Sequence, residues 1–158
     1  MKFSESGESL LRLIQLETAE KMCINSKACA MKAKLWTKGT KQLDFARSIH
    51  RNSLIRAYDF IKSPHVTKRQ LERAIADHEI VSIIKNGTII HNRRVGTYTR
   101  NLLLGYLPLI NGDPRPIHLV LEYQHDQKVV VIVTMYDPRS KNMWSEDFTT
   151  KICFCDQD

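Results

Sequence analysis

The sequence predicts an α+β domain in which about three N-terminal helices pack on a C-terminal antiparallel sheet of about five strands. Three observations carry this. Apolar residues recur at helical spacing through the first half of the chain. The period changes after Asn86-Gly87, where runs rich in Val, Ile and Leu take over. The two clearest runs, Ile117–Tyr123 and Val129–Tyr136, flank a short polar connection, His125-Asp126-Gln127, as an antiparallel hairpin requires.

Taken in order, Ser4 or Ser6 caps a first helix over Glu8 to Leu35, with Leu10, Leu13, Ile14, Met22, Ile24 and Met31 as its apolar set. Its end is cationic (Lys32, Lys34, Lys38), which suits a helix C-terminus. Gly39 breaks it. Thr40 caps a second helix from Lys41 to Ile61, lined by Leu43, Ala46, Ile49, Ala57, Tyr58 and Ile61. Ser63-Pro64 ends that helix. A third opens with Thr67 and Gln70 as a capping box and runs through Leu71, Ala74, Ile75, His78 and Val81. Strands follow at Thr88–His91, Arg100–Leu107, Ile117–Tyr123, Val129–Tyr136 and Phe148–Phe154. Residues 1–40 read as a helical extension and 41–158 as the α+β domain.

The chain has 158 residues, 42% hydrophobic and 26% charged, enough for a core without disulfides or metal. No apolar run approaches the ~20 residues that span a bilayer, and the opening MKFSESGESL is too acidic for a secretory signal. Cys23, Cys29, Cys153 and Cys155 have no disulfide-framework spacing, so reduced thiols and a cytoplasmic location are expected. The net charge of +7 is uneven: residues 1–66 carry +6 and residues 67–158 carry +1. A basic helical half attracts nucleic acid, an acidic protein or anionic lipid, or is a solvated surface.

Common cofactor and metal chemistries leave no trace in the sequence. There is no glycine-rich phosphate loop, no dinucleotide fingerprint, no His-Glu-x-x-His and no serine in a nucleophile elbow. Cys153-x-Cys155 lacks a second pair at zinc-finger spacing. No cofactor and no metal are expected. What remains is a scatter of His, Arg, Thr and Tyr, a set that can cleave RNA without metal. The 2′-hydroxyl is a built-in nucleophile, so the protein need only move protons and neutralise the phosphate.

The candidates have two readings each. His50, between Ala46 and Leu54 on the second helix, is either a buried hydrogen-bonded histidine or one presented to a cleft. His118 shares a strand face with Val120 and Glu122, either as a semi-exposed sheet residue or as a proton carrier. Thr134 and Tyr136 share a face of the next strand. Pairing residue 124 with 128 sets His118 opposite Thr134, and a turn one residue tighter puts them on opposite faces; the sequence leaves both open. Arg100, at the mouth of a strand, is a phosphate ligand or a surface arginine. Arg47 and Arg51 flank His50, and Arg94 sits in a loop; all three are candidates for the RNA backbone or for a solvated face.

The run Thr67…Gln70-Leu71-Glu72-Arg73-Ala74-Ile75…Gly87-Thr88-Ile89-Ile90, then Arg100…Gly105-Tyr106, Pro116-Ile117-His118-Leu119-Val120 and Val133-Thr134-Met135-Tyr136-Asp137-Pro138…Trp144 resembles a family of small bacterial domains of unknown function. That family is grouped with the RelE, barnase, EndoU and colicin (BECR) ribonucleases, many of them toxins with a cognate antitoxin or immunity protein. The resemblance covers roughly residues 45–148. It implies a RelE/BECR-like fold and aligns the family histidines with His50 and His118 and its T-x-Y with Thr134 and Tyr136. One departure is plain: the family helix follows its histidine with two close arginines and "gI", whereas here Arg51 and Arg56 follow and the "gI" is missing.

The expected function is a metal-independent ribonuclease toxin, with His50 and His118 moving protons, Arg100 on the phosphate, and Thr134 and Tyr136 orienting the substrate. Its partners would be RNA, transfer or messenger, and an acidic antitoxin or immunity protein, with no membrane. The alternative is a non-catalytic module binding nucleic acid or protein. The two differ in whether His50, His118, Arg100 and Tyr136 meet in one cleft.

Overall fold

A computed structural model describes residues 27–108, 112–140 and 143–154. Within them lie four helices, α1 (Lys27–Thr40), α2 (Leu43–Ile55), α3 (Pro64–Arg73) and α4 (Asp77–Asn86), and five strands, β1 (Asp59–Lys62), β2 (Thr88–Val95), β3 (Tyr98–Pro108), β4 (Pro114–Gln124) and β5 (Val129–Tyr136). The fold class is α+β, as the change of period implies. The start of the expected first helix, up to residue 26, lies outside the described residues. No helix among the described residues is long and apolar enough to cross a membrane.

The sheet order is β1-β5-β4-β3-β2. The β2–β5 meander is antiparallel, but β1 joins β5 in parallel, Asp59 opposite Val129 through Lys62 opposite Ile132. The second helix therefore stops at Ile55 and not at Ile61. Ala57 takes a left-handed backbone conformation (φ 51°), and the Tyr58 N–H closes onto the Ser53 carbonyl at 3.0 Å. The chain is then free to run as a strand, and Phe60 is half-buried under the helices. Pairing with β5 outweighs a helical pattern that Tyr58 and Ile61 continue.

The expected third helix is two helices. Its cap is Ser63, not Thr67: the Ser63 hydroxyl accepts from the Val66 N–H (3.2 Å) and Pro64 occupies the first turn. The same hydroxyl donates to the Val133 carbonyl at 2.8 Å, while the Ser63 N–H donates to Ile132. Val133 is the extra residue of a β-bulge, since β4 pairs Leu121 with Ile132 and Val120 with Thr134. Ser63 thus ties α3 to the place where β5 loses its ladder. Ala74 (φ 51°) ends α3, and α4 restarts at Asp77 with Glu79 accepting from the Ala76 N–H.

The fifth expected strand, Phe148–Phe154, does not form. Trp144 and Lys151 make an isolated bridge, and Phe148 has a left-handed φ of 61°. That segment instead lies across the sheet.

Strand alternation sorts the sheet into two faces. Leu103, Ile117, Leu119, Leu121 and Tyr123 face the helices α2–α4 and form the main core with Ala46, Val66, Ile80 and Ile83. Each such burial contributes about 1.5–3 kcal/mol against exposure. The opposite face carries a smaller cluster, Ile90, Leu102 and Leu104, roofed by Trp36, Trp144 and Phe148.

α1 packs on the β2 edge. Trp36 stacks on His91 (centroids 3.8 Å, planes 7° apart), and Gly39 approaches so closely that a Cβ there would collide with His91 Nε2 and the Asn92 carbonyl oxygen. A Gly39→Ala change is therefore expected to lower stability by about 1–3 kcal/mol, the usual range for overpacking. Urea denaturation followed by tryptophan fluorescence checks it; an unchanged midpoint would show that α1 is not seated on β2.

Candidate functional site

Among the described residues, a cavity of about 1150 Å³ opens at the end of the sheet that carries both hairpin tips, the β2–β3 turn at Gly96 and the β4–β5 turn at His125. Six cations line it: Lys32 and Lys38 of α1, Arg93 and Arg94 of β2, Arg100 of β3, and Lys151. No Asp or Glu stands among the described residues of that lining. The rings of Trp36, Trp144 and Phe154 line it on the roofed face and Phe45 on the helical face.

Arg93 and Arg100 are direct cross-strand partners. Like charges in that position repel. Arg100 is offset by Glu122 on β4, whose carboxylate accepts from its Nε at 2.6 Å. Desolvation, and then Arg100, hold the Arg93 guanidinium below its ordinary range. His91, 8% exposed under Trp36, is pulled down to about 4, by burial first and then, among the opposing and smaller influences, by Arg93 and Lys151. Burial dominates both shifts, and the neighbouring cations add to it.

Of the expected catalytic set, the structure brings Arg100 and Tyr136 to this cavity and places the others elsewhere. His50 lies in the main core, 8% exposed. Its Nε2 is 2.7 Å from the Ile84 carbonyl and its Nδ1 is 2.6 Å from the Tyr123 hydroxyl. A carbonyl can only accept, so Nε2 carries the proton and Nδ1 accepts from the tyrosine. Burial lowers its pKa, partly offset by the Ile84 bond. Its partner Tyr123 faces the helices, whereas His118 faces the other way. The two histidines lie on opposite sides of the sheet.

His118 is fully buried. Its Nε2 donates to the Phe148 carbonyl at 2.8 Å, and Trp144 and Tyr136 meet it edge-on at centroid distances of 4.3 and 5.2 Å. Burial brings its pKa to about 4, against the opposing pull of the Phe148 bond and Asp137. It pins the segment 143–154 to the sheet.

The bulge at Val133 also settles the register. His118 stands opposite Tyr136, and Thr134 stands opposite Val120. Neither register considered from the sequence contains that bulge. Thr134 shares the Tyr136 face but is not part of the cavity lining, and burial raises the Tyr136 pKa. On α2, Arg47 pairs with Asp44 at 2.9 Å. Arg51 is exposed, and neither arginine lines the cavity; Arg94 does.

Sequence reasoning did not select Lys32, Trp36, Lys38, His91, Arg93 or Lys151. One signal was legible: Arg93-Arg94 stand together just before a hairpin glycine, Gly96. Among the described residues no three His, Cys, Asp or Glu side chains gather in the way a metal site needs.

Comparisons with curated proteins and with solved structures give no match. One family does match, over under half of the chain. The matched stretch supplies His91, Arg93, Arg94, Arg100 and Tyr136, while α1, Gln42, the start of α2 and the segment 143–154 contribute cavity wall from outside it. Residues 63–137, from the cap of α3 to the end of β5, match the model of a domain of unknown function (DUF4258) and are similar to that family.

Proposed function

We propose that the cavity at the hairpin end is a binding groove for single-stranded nucleic acid, RNA foremost. The observation that carries this is the lining itself, six cations with no carboxylate among its described residues, beside aromatic rings. Phosphates neutralise the cations and release counterions. Phe45 is the exposed ring of that lining, and an unpaired base can stack on it where the bases of a duplex cannot.

Binding is favoured over cleavage on three grounds. His50 and His118 cannot share a phosphate across the sheet. Tyr136 is pushed toward its neutral phenol by burial, so it can donate a proton but not accept one at neutral pH. Arg100 pairs with Glu122 and Tyr136 with His118. That spacing separates their roots by about 13 Å along the strands alone, so the two meet one phosphate only with both side chains extended toward each other, and Arg100 is already held by Glu122. Cleavage through a RelE/BECR-type site is the second reading, and it needs a proton acceptor other than these histidines. An acidic partner protein would compete for the same groove by charge.

The test is fluorescence anisotropy with a labelled single-stranded RNA of mixed sequence, titrated with salt, followed by a denaturing gel of the same samples. With about three phosphates engaged, log Kd is expected to rise with log salt at a slope of about 2. A duplex of the same sequence should bind more weakly. Absence of binding at low salt removes the proposal, and RNA fragments lost on Arg100→Ala substitution move the reading to cleavage.

A further inference from the structure

The helical-face part of the groove, between α2 and the hairpin end of the sheet, holds a feature that phosphate binding leaves unexplained. Asn92 and Asn101 are direct cross-strand partners on that face, 3% and 0% exposed. Both side-chain oxygens are buried without a hydrogen-bond partner. The orientation of the Asn101 amide follows from its neighbour: its Nδ2 donates to the Ala46 carbonyl at 3.3 Å, and a carbonyl can only accept. Its Oδ1 is therefore the atom left over. Asn92 Nδ2 donates to Gln42 Oε1 at 3.2 Å, leaving its Oδ1 in the same condition. Buried polar atoms without partners are rare and point to a ligand or a special role.

The surroundings match one ligand chemistry. Phe45, 60% exposed, presents a ring at the α2 wall, and Ile49 lies one turn on. Arg94 sits two residues beyond Asn92 on the same strand face, with Thr99 as its cross-strand partner. Two neighbouring acceptors, a ring to stack on and a cation beyond them suit a nucleotide whose base carries an exocyclic amino group. Both oxygens are covered in the unbound chain, so binding displaces the side of α2 that covers them; the two amine hydrogens then meet the two amide oxygens, the base lies against Phe45, and the phosphate reaches Arg94. Uracil presents carbonyl oxygens on both sides of its one N–H, and these would face the amide oxygens and repel them.

Resting on the RNA-binding reading above, we propose that Asn92, Asn101 and Phe45 form a base subsite selecting adenine or cytosine over uracil in the bound strand. The test uses the full chain and three labelled ten-nucleotide homopolymers, r(A), r(C) and r(U), by anisotropy at one salt concentration. Wild type should bind r(A) or r(C) at least about tenfold tighter than r(U). Asn92→Ala, checked for folding by its circular dichroism melt, should bring the three affinities within about twofold of one another. Phe45 is exposed, so Phe45→Ala serves as the variant that does not disturb the core, and it should weaken the preferred homopolymer at least about fivefold. Equal affinities in wild type overturn the base subsite and leave the groove standing. So does a preference that persists in Asn92→Ala, or a Phe45→Ala protein that binds as wild type does. Failure of wild type to bind any of the three removes both proposals together.

Discussion

Lowering the pH from 7.5 to 5 is expected to cost this protein about 4 kcal/mol of folding stability before its carboxylates begin to titrate. His91 and His118 are buried and neutral, each held at about 4 against an ordinary 6.5. Between those values the unfolded chain binds protons that the folded chain refuses, so stability rises with pH across the window and is lost as pH falls through it. At 1.36 kcal/mol per unit the loss is about 2 kcal/mol per histidine by pH 5. Its full extent is reached only below pH 4, once the folded histidines are protonated as well. A domain of this size has about 5–15 kcal/mol in all.

The groups facing these rings determine the depth of the effect. Arg93 and Lys151 deepen it at His91, and Asp137 opposes it at His118. Glu122, Asp137 and Asp147, held below their usual range by their partners, act in the same direction but only at lower pH. Urea midpoints at pH 7.5 and 5.0 measure the loss. His118→Leu removes one proton site and leaves the Phe148 carbonyl without its donor, so it should lower stability at pH 7.5 and roughly halve the pH dependence. Equal wild-type midpoints at the two pH values would refute burial as the state of both histidines.

The second large effect is on binding. Reversing two charges at the groove, Arg93→Glu with Arg94→Glu, is expected to weaken single-stranded RNA at least about a hundredfold at ~0.1 M salt and to flatten the salt slope by about one. Stability should stay within about 0.5 kcal/mol or rise. Arg93 stands directly opposite Arg100, so the change replaces a repulsion with an attraction. Loss of binding without loss of stability separates a ligand contact from a fold contact. Unchanged affinity in the double variant would place the ligand elsewhere. The corresponding change on α2, Arg47→Glu with Arg51→Glu, lies outside the cavity lining and should have a small effect, arising from the general field alone.

The sequence by itself determined what depends on neighbours along the chain. The periods placed helices before strands. The β4–β5 hairpin follows from two apolar runs and a polar connection; Ser63-Pro64 reads as a break in the chain, although the helix expected to end there stops at Ile55 and the next begins there and not at Thr67. His50 reads from sequence as facing the apolar side of its helix, and the structure places it there, hydrogen-bonded at both nitrogens. What the tertiary structure decided depends on contacts between distant residues. Residues 59–62 became a strand because β5 offered an open edge, and only the assembled sheet contains that edge. Val133 became a bulge because Ser63, seventy residues earlier, takes its carbonyl; that one residue set His118 against Tyr136. The groove is likewise a product of assembly. Lys32, Trp36 and Lys38, Arg93 and Arg100, and Lys151 come from three separate stretches of chain. Each reads alone as a surface residue, because a charge has no recognisable purpose until folding shows which other charges stand beside it.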